Sequence, residues 1–168
     1  MNAKGYSLWF IPSGVNYGLL KQGIGMLSRT FKSPVFEPHI TLLGKIEESE
    51  KEVVRKVSVL ASRINTFEVE LNNVGYGDDC FQRLFYLTNK PKELMDANKE
   101  ARNIFGRQSD ELYLPHLSML YSSGPVNAHD VICGMSNLVL ARFPVKKLVL
   151  MNANGKPEDW KPIKDFNL

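Results

Sequence analysis

The chain has 168 residues, of which 43% are hydrophobic and 23% are charged. A chain of this length buries a substantial core, and its 9 Phe, 6 Tyr and 2 Trp exclude a mainly disordered protein. No shift in composition marks a boundary, so we expect one domain over residues 1–168. No apolar run reaches the ~20 residues of a membrane-spanning helix, and the first residues lack the layout of a signal peptide.

Charge and cysteine content narrow the expected partners and location. A net charge of +3 suits an anionic small molecule but is too small to indicate a stable nucleic-acid partner. The two cysteines, Cys80 and Cys133, cannot form a disulfide framework, which favours a reducing compartment. We therefore expect a cytoplasmic protein without membrane contact, and a monomer because the sequence shows no interface signature.

Sequence periodicity predicts strands and helices along the whole chain. Strands are expected, in chain order, at 6–11, 38–44, 67–71, 81–88, 114–121, 146–151 and 160–166. Helices are expected at 17–31, from a cap at Ser49 to Ile64, from Pro91 to Gly106, and as a short segment at 127–135. This mixture indicates an α+β fold.

A repeated octapeptide contains two of the three histidines in the chain. The first copy is Phe36-Glu-Pro-His-Ile-Thr-Leu-Leu43, and the second is Tyr113-Leu-Pro-His-Leu-Ser-Met-Leu120. Both copies read aromatic, any residue, Pro, His, apolar, hydroxyl, apolar, Leu, which is a short internal repeat. The third histidine, His129, lies outside this pattern and is expected on the surface.

The repeat predicts a specific set of chemical groups. On a strand, residues i and i+2 share a face, so His39 lies beside Thr41, and His116 lies beside Ser118. A neutral imidazole can take a proton from water, a charged one can give a proton to a leaving alkoxide, and hydroxyls can hydrogen-bond phosphate oxygens. A single histidine in such a motif usually has a structural role. The presence of two copies of the motif instead favours metal-free hydrolysis of a phosphodiester. Two histidines without a cysteine or carboxylate motif are too few ligands for a usual zinc site.

These motifs resemble the two-histidine (2H) phosphoesterase superfamily, and within it the cyclic phosphodiesterases of the plant type. Weaker similarities are found in Tyr6-Ser-Leu-Trp9, in Cys80-Phe81-Gln82-Arg83 and at Trp160. The resemblance implies a bilobal fold, with two pseudo-symmetric lobes of antiparallel sheet plus helices around a central cleft. The plant enzymes carry further cysteines, some of them paired, which this chain does not reproduce.

The resemblance also implies an activity and a set of site residues. His39 and His116 would be the catalytic acid/base pair, and Thr41 and Ser118 would hold the phosphate. We expect His116 to activate water and His39 to protonate the leaving group, although the repeat by itself treats the two alike. No metal and no cofactor would be used. The substrate would be a small ribose cyclic phosphate, either ADP-ribose 1″,2″-cyclic phosphate, a product of tRNA splicing, or a nucleoside 2′,3′-cyclic phosphate.

Two aromatic residues match family positions near the substrate, Trp9 and Tyr121. Trp9 can stack on a base or ribose, and the alternative is an ordinary core tryptophan. By strand alternation Tyr121 lies off the Ser118 face, so a bend is needed to bring it to the site. Two other functions stay open: a phosphodiesterase or ligase-like protein acting on RNA ends or 2′–5′ linkages, and a nucleotide-binding module without turnover.

Overall fold

Eight strands and three helices form the part of the chain that the computed structural model describes, residues 1–124, 126–127 and 141–168. The helices are α1 (Gly14–Phe31), α2 (Glu50–Ala61) and α3 (Lys92–Phe105). The strands are β1 (Tyr6–Phe10), β2 (Ile40–Ile46), β3 (Phe67–Tyr76), β4 (Leu84–Thr88), β5 (His116–Leu120), β6 (Arg142–Val145), β7 (Lys147–Asn152) and β8 (Lys161–Asn167). The fold is therefore α+β, as the sequence predicts.

The strands form one antiparallel sheet in the order β6-β3-β4-β5-β2-β1-β7-β8. Strands β2 and β5, which belong to the two histidine motifs, are neighbours at the centre of the sheet. Each is the innermost strand of a group of four. These groups meet where Ile40 pairs with Leu117. The two residues hold the same position in the octapeptide repeat, so an approximate local two-fold axis runs through their pairing. The sheet thus consists of two matching halves, which agrees with the expected pseudo-symmetric lobes.

The two faces of the sheet have different environments. Apolar side chains on one face, including Ile40 and Leu117, join the apolar faces of the three helices in the main core. Helix α1 follows β1 but packs on β5, and helix α3 follows β4 but packs on β2. Each helix thus covers the half of the sheet that does not contain the strand before it. Asn98 on α3 donates a buried hydrogen bond of 2.7 Å to the Leu42 carbonyl. The helices thus hold both histidine strands from behind and leave the opposite face for the site.

Local signals fix several element ends. The Ser49 hydroxyl accepts a hydrogen bond from the Glu52 backbone amide, which confirms the predicted cap of α2. Gly106 ends α3 with a positive φ of 67°, as the sequence predicts. Strands β3 and β4 form an antiparallel hairpin, and β7 pairs antiparallel with β8.

Strand β6 is absent from the predicted elements. Its sequence Arg-Phe-Pro-Val is short, and Pro144 lacks the amide that a central strand requires. The strand pairs with β3 at the edge of the sheet, where a proline is tolerated. The short helix predicted at 127–135 lies, apart from its first residue, outside the described residues. None of the described helices is long and apolar enough to cross a membrane.

Gly75 on β3 makes room for the aromatic ring of Phe85 on β4, and we expect Gly75→Ala to destabilise the protein. An added Cβ would lie 2.7 Å from Phe85 Cζ, well inside van der Waals contact. Overpacking of this kind costs about 1–3 kcal/mol in urea-unfolding free energy. Gly18→Ala on α1 is the matched control, because no atom lies within 4 Å of its added Cβ. We expect the control substitution to raise the free energy of unfolding by about 0.4–1 kcal/mol. Equal effects at the two glycines would contradict this account.

Candidate active site

Four polar side chains occupy the sheet face opposite the main core at the junction of β2 and β5. Ile40 and Leu117 point into the core, so their neighbours in sequence point to the other face. Continuing the antiparallel register from this pairing sets His39 across from Ser118 and Thr41 across from His116. The histidines are then diagonal neighbours, with backbones about 7–8 Å apart. Such spacing leaves room for a phosphate between the two rings.

His39 immediately precedes β2 and exposes 5% of its surface. Its Nδ1 lies 2.6 Å from the Glu37 carbonyl oxygen. A carbonyl only accepts hydrogen bonds, so Nδ1 carries the proton of the neutral ring and Nε2 has the free lone pair. Burial lowers the pKa of His39 to about 4, with a further lowering by the charge of His116. His39 is therefore a neutral proton acceptor at neutral pH.

His116 begins β5 and has the same backbone contact. Its Nδ1 lies 2.7 Å from the carbonyl oxygen of Leu114. Leu114 precedes His116 by two residues, just as Glu37 precedes His39. Burial lowers the pKa of His116, and the Leu114 carbonyl and the Asp79 carboxylate oppose that lowering. His116 is also less buried than His39. Because His116 is less buried, its charged form is less disfavoured, and we infer that His116 is the more readily protonated of the pair.

The two hydroxyls differ in their hydrogen bonding. Ser118 donates a bond of 2.9 Å to the Phe81 carbonyl and is buried. The Thr41 hydroxyl makes no hydrogen bond with any residue that the structure describes, while the Thr41 carbonyl accepts one of 2.9 Å from Tyr113. Thr41 can thus donate to a phosphate oxygen directly. Ser118 can do so only after its hydroxyl turns away from Phe81.

Tyr121 reaches the site because β5 ends one residue before it. The phenol ring of Tyr121, just after the end of β5, stacks on Phe36 with a centroid distance of 3.6 Å. Its hydroxyl hydrogen-bonds with Ser118, and burial raises the pKa of Tyr121. The Tyr121 hydroxyl therefore reaches the Ser118 side chain, which strand alternation alone would place on the other face. A direct contact of Tyr121 with substrate stays a prediction.

Trp9 on β1 lies against the first histidine. The indole stacks on the His39 ring at 3.5 Å with an interplanar angle of 9°, and its Nε1 donates a hydrogen bond of 2.7 Å to Ser7. Only 2% of Trp9 is exposed. The ring therefore holds the imidazole plane in place and excludes water from it. Stacking of Trp9 on a base or ribose stays a prediction.

Phe85 is a site residue that the sequence does not reveal. Trp9 pairs with Thr41 across β1 and β2, and Phe85 pairs with Ser118 across β4 and β5. Phe85 is therefore the counterpart of Trp9 in the other half, and its ring meets His116 edge-on at 5.2 Å. Only the strand register identifies this residue, because a phenylalanine in a strand is otherwise an ordinary core residue.

Gln82, in the loop between β3 and β4, is a second residue whose role the sequence does not reveal. Its side-chain nitrogen lies 2.9 Å from His116 Nε2 and 3.1 Å from His116 Nδ1. Gln82, His116 and Thr41 line one cavity of about 510 Å³, a size that suits a small ligand. Among the described residues, no group of three or more His, Cys, Asp or Glu lies together as a metal site would require.

Known proteins with similar sequences include two that are named as phosphodiesterases. The cyclic phosphodiesterase of Arabidopsis thaliana is 26% identical over 117 residues, which cover 70% of this chain and 65% of that protein. The 2′,3′-cyclic-nucleotide 3′-phosphodiesterase of Kluyveromyces lactis is 32% identical over 138 residues, which cover 70% of this chain and 64% of that protein. The chain thus spans just under two thirds of the length of these relatives.

Similar folds occur among solved structures. Escherichia coli LigT, crystallised with 3′-AMP, superposes with a TM-score of 0.64 over 100% of this chain and 99% of LigT, at 15% identity. At that identity the likeness concerns the fold alone. A family model described as "Cyclic phosphodiesterase-like protein" matches residues 4–168, nearly the whole sequence. The chain therefore belongs to the family of cyclic phosphodiesterase-like proteins.

Proposed function

We propose that this protein hydrolyses a cyclic phosphodiester on a ribose, with His39 and His116 as the proton-transferring pair. The observation that carries the proposal is the matched setting of the two imidazoles. Each ring binds a carbonyl two residues earlier through Nδ1, which leaves Nε2 as the reactive nitrogen. Because the rings are diagonal neighbours across one strand pairing, both Nε2 atoms can reach one phosphate.

The proposed reaction is an in-line displacement at phosphorus by water. The water oxygen forms the new P–O bond as its proton passes to the Nε2 of one histidine. The ring P–O bond breaks, and the departing ribose oxygen takes a proton from the Nε2 of the other histidine. The products are a phosphomonoester and a free hydroxyl. Exchange of protons with solvent then restores the pair, and no co-reactant other than water is needed.

The environments of the two rings support one division of roles. A base must be neutral, and the pKa of His39 at about 4 keeps it neutral at neutral pH. An acid must be protonated. Burial lowers the pKa of His116 too, but His116 is less buried than His39, and the Leu114 carbonyl and the Asp79 carboxylate oppose the lowering. We therefore infer that His39 activates water and His116 protonates the leaving group. This division is the reverse of the one expected from the sequence.

The proposed substrate class is supported by the cavity beside His116 and by the names of the relatives. A cavity of about 510 Å³ that reaches Thr41 and His116 accommodates a nucleotide-sized molecule. One relative is named for cyclic phosphodiesterase activity and the other for action on 2′,3′-cyclic nucleotides. We propose nucleoside 2′,3′-cyclic phosphates and ADP-ribose 1″,2″-cyclic phosphate as the compounds to test, with Thr41 and Ser118 donating to the phosphate oxygens.

Hydrolysis of these compounds in the presence of EDTA tests the proposal. We expect turnover to persist in EDTA and to fall by about 10²–10⁴-fold in His39→Ala and in His116→Ala, since each variant lacks one proton-transfer group. His129→Ala, at the histidine outside the repeat, is the matched control and is expected to retain activity. Loss of activity in EDTA, or equal loss in all three variants, would contradict a paired-histidine reaction. Absence of turnover by folded protein would redirect the search to RNA ends or to a binding role.

The pH dependence of kcat/KM is expected to be bell-shaped with an acidic optimum. Activity rises with pH as His39 loses its proton near its pKa of about 4. It falls again as His116 loses its proton, at a pKa lowered from 6.5. The maximum should therefore lie between about pH 4 and 6.5, measured with initial rates at low substrate concentration. A profile that is flat from pH 5 to 8 would be incompatible with this pair.

A diester with a good leaving group separates the two roles. A nucleoside 3′-(p-nitrophenyl phosphate) departs as p-nitrophenolate, which needs no proton from an acid. We therefore expect the fold-loss of activity in His116→Ala to be smaller on this compound than on the cyclic phosphate. The two losses should differ by a factor of at least about 10. His39→Ala should lose the same factor on both, because water still needs a base. The opposite pattern would assign the acid role to His39.

A further inference from the structure

The loop between β3 and β4 lies directly over the second histidine. Within the loop, Phe81 N donates to the Asp79 carboxylate at 2.7 Å and Gln82 N donates to the Asp79 carbonyl at 3.0 Å. The loop is also tied to β5, because Ser118 donates to the Phe81 carbonyl and Ser122 N donates to the Cys80 carbonyl. These bonds fix the backbone at Gln82 and direct its side chain toward His116.

The position of the Gln82 amide over the ring follows from two distances. Its nitrogen is almost equally far from His116 Nε2 and Nδ1, at 2.9 and 3.1 Å. The in-plane direction of Nδ1 is already used by the Leu114 carbonyl. The in-plane hydrogen-bonding directions of Nδ1 and Nε2 diverge. A single atom in the ring plane therefore cannot lie along both of them. The amide therefore lies over the ring face, and the in-plane lone pair of Nε2 stays open to the cleft.

A comparison of the two halves shows what Gln82 replaces. In the first half, the wide Trp9 ring lies parallel to His39 and covers one face of it. In the second half, the counterpart Phe85 meets His116 at an angle of 64° and so does not stack on the imidazole. The Gln82 amide lies against this ring instead. A primary amide also differs from an indole, because it offers a donor to a neutral ring and, after turning, an oxygen to a charged ring.

We infer that Gln82 is a positioning residue for His116, which holds the ring with Nε2 directed at the substrate and adapts to its protonated and neutral forms. The inference rests on the proposed function, since it concerns the second histidine of that reaction. It predicts that Gln82 affects kcat more than KM, because the side chain acts through His116 rather than by binding substrate.

Other charged groups around His116 must be held constant in any test. The loop contributes Asp79, and the residue before β2 is His39. The cavity onto which His116 opens is also lined by Lys45, Arg102, Glu111 and the ion pair of Arg107 with Asp110. All of these groups remain in variants of Gln82 alone, so a change in the behaviour of His116 reports on the amide.

Long-range ¹H–¹⁵N NMR spectra of the histidine rings test the inference without substrate. The chain has three histidines, which His→Ala variants assign. In the native protein we expect neutral His116 to be protonated at Nδ1 alone. Gln82→Met, of similar size but apolar, should free the ring to turn away from the Leu114 carbonyl and so populate both tautomers, and Gln82→Glu should raise the pKa of His116 by about one unit or more. Gln22→Glu, an exposed position on α1, is the matched charge control and should change neither.

Kinetics on the same variants complete the test. We expect Gln82→Met to lower kcat by about 10-fold or more with KM within about 2-fold, and Gln82→Glu to move the alkaline limb of the pH profile upward. Unchanged tautomer and pKa in both variants, or a change in KM alone, would overturn the positioning role. The NMR response does not depend on turnover. If the NMR spectra of the variants change as expected but no cyclic phosphate is hydrolysed, the proposed function is rejected and the positioning role of Gln82 is retained.

Discussion

The pairing of Ile40 with Leu117 joins β2 to β5, and the arrangement of the site depends on it. These two residues occupy equivalent positions in the repeated octapeptide, so the halves of the sheet meet on a local two-fold axis. A shift of one residue in this register would turn every side chain of one strand to the opposite face. The His and hydroxyl groups of that strand would then enter the core. The helices behind the strands, and the Asn98 hydrogen bond to β2, oppose such a shift.

Enclosure of the His39 imidazole has two consequences, a fixed orientation of the ring and a lowered pKa. Stacking on Trp9 and the bond to the Glu37 carbonyl fix the His39 ring in one orientation. The same burial disfavours the charged form and brings the pKa of His39 down to about 4. The ring is thereby restricted to accepting a proton. Precise placement and a neutral ring are thus produced by one set of contacts.

The approximate symmetry of the fold is broken where the proposed reaction needs it to be. Water activation needs a base and departure of the ribose oxygen needs an acid, so the two histidines must differ in protonation. The Asp79 carboxylate favours the charged form of His116, and among the described residues the Gln82 amide has no counterpart beside His39. The loop between β3 and β4 supplies both groups. This loop, together with the deeper burial of His39, distinguishes two otherwise matching half-sites.

The amino-acid sequence by itself determined the α+β class, most element positions and the four polar side chains of the repeat, because strand alternation and the duplicated His-apolar-hydroxyl pattern are local properties. It did not determine β6, whose edge position tolerates Pro144, or the roles of Phe85 and Gln82. Those depend on strand register and on a loop folding over a distant strand. Relative burial of the two histidines is likewise a property of the packed chain, so the order of their pKa values was decided by the tertiary structure alone.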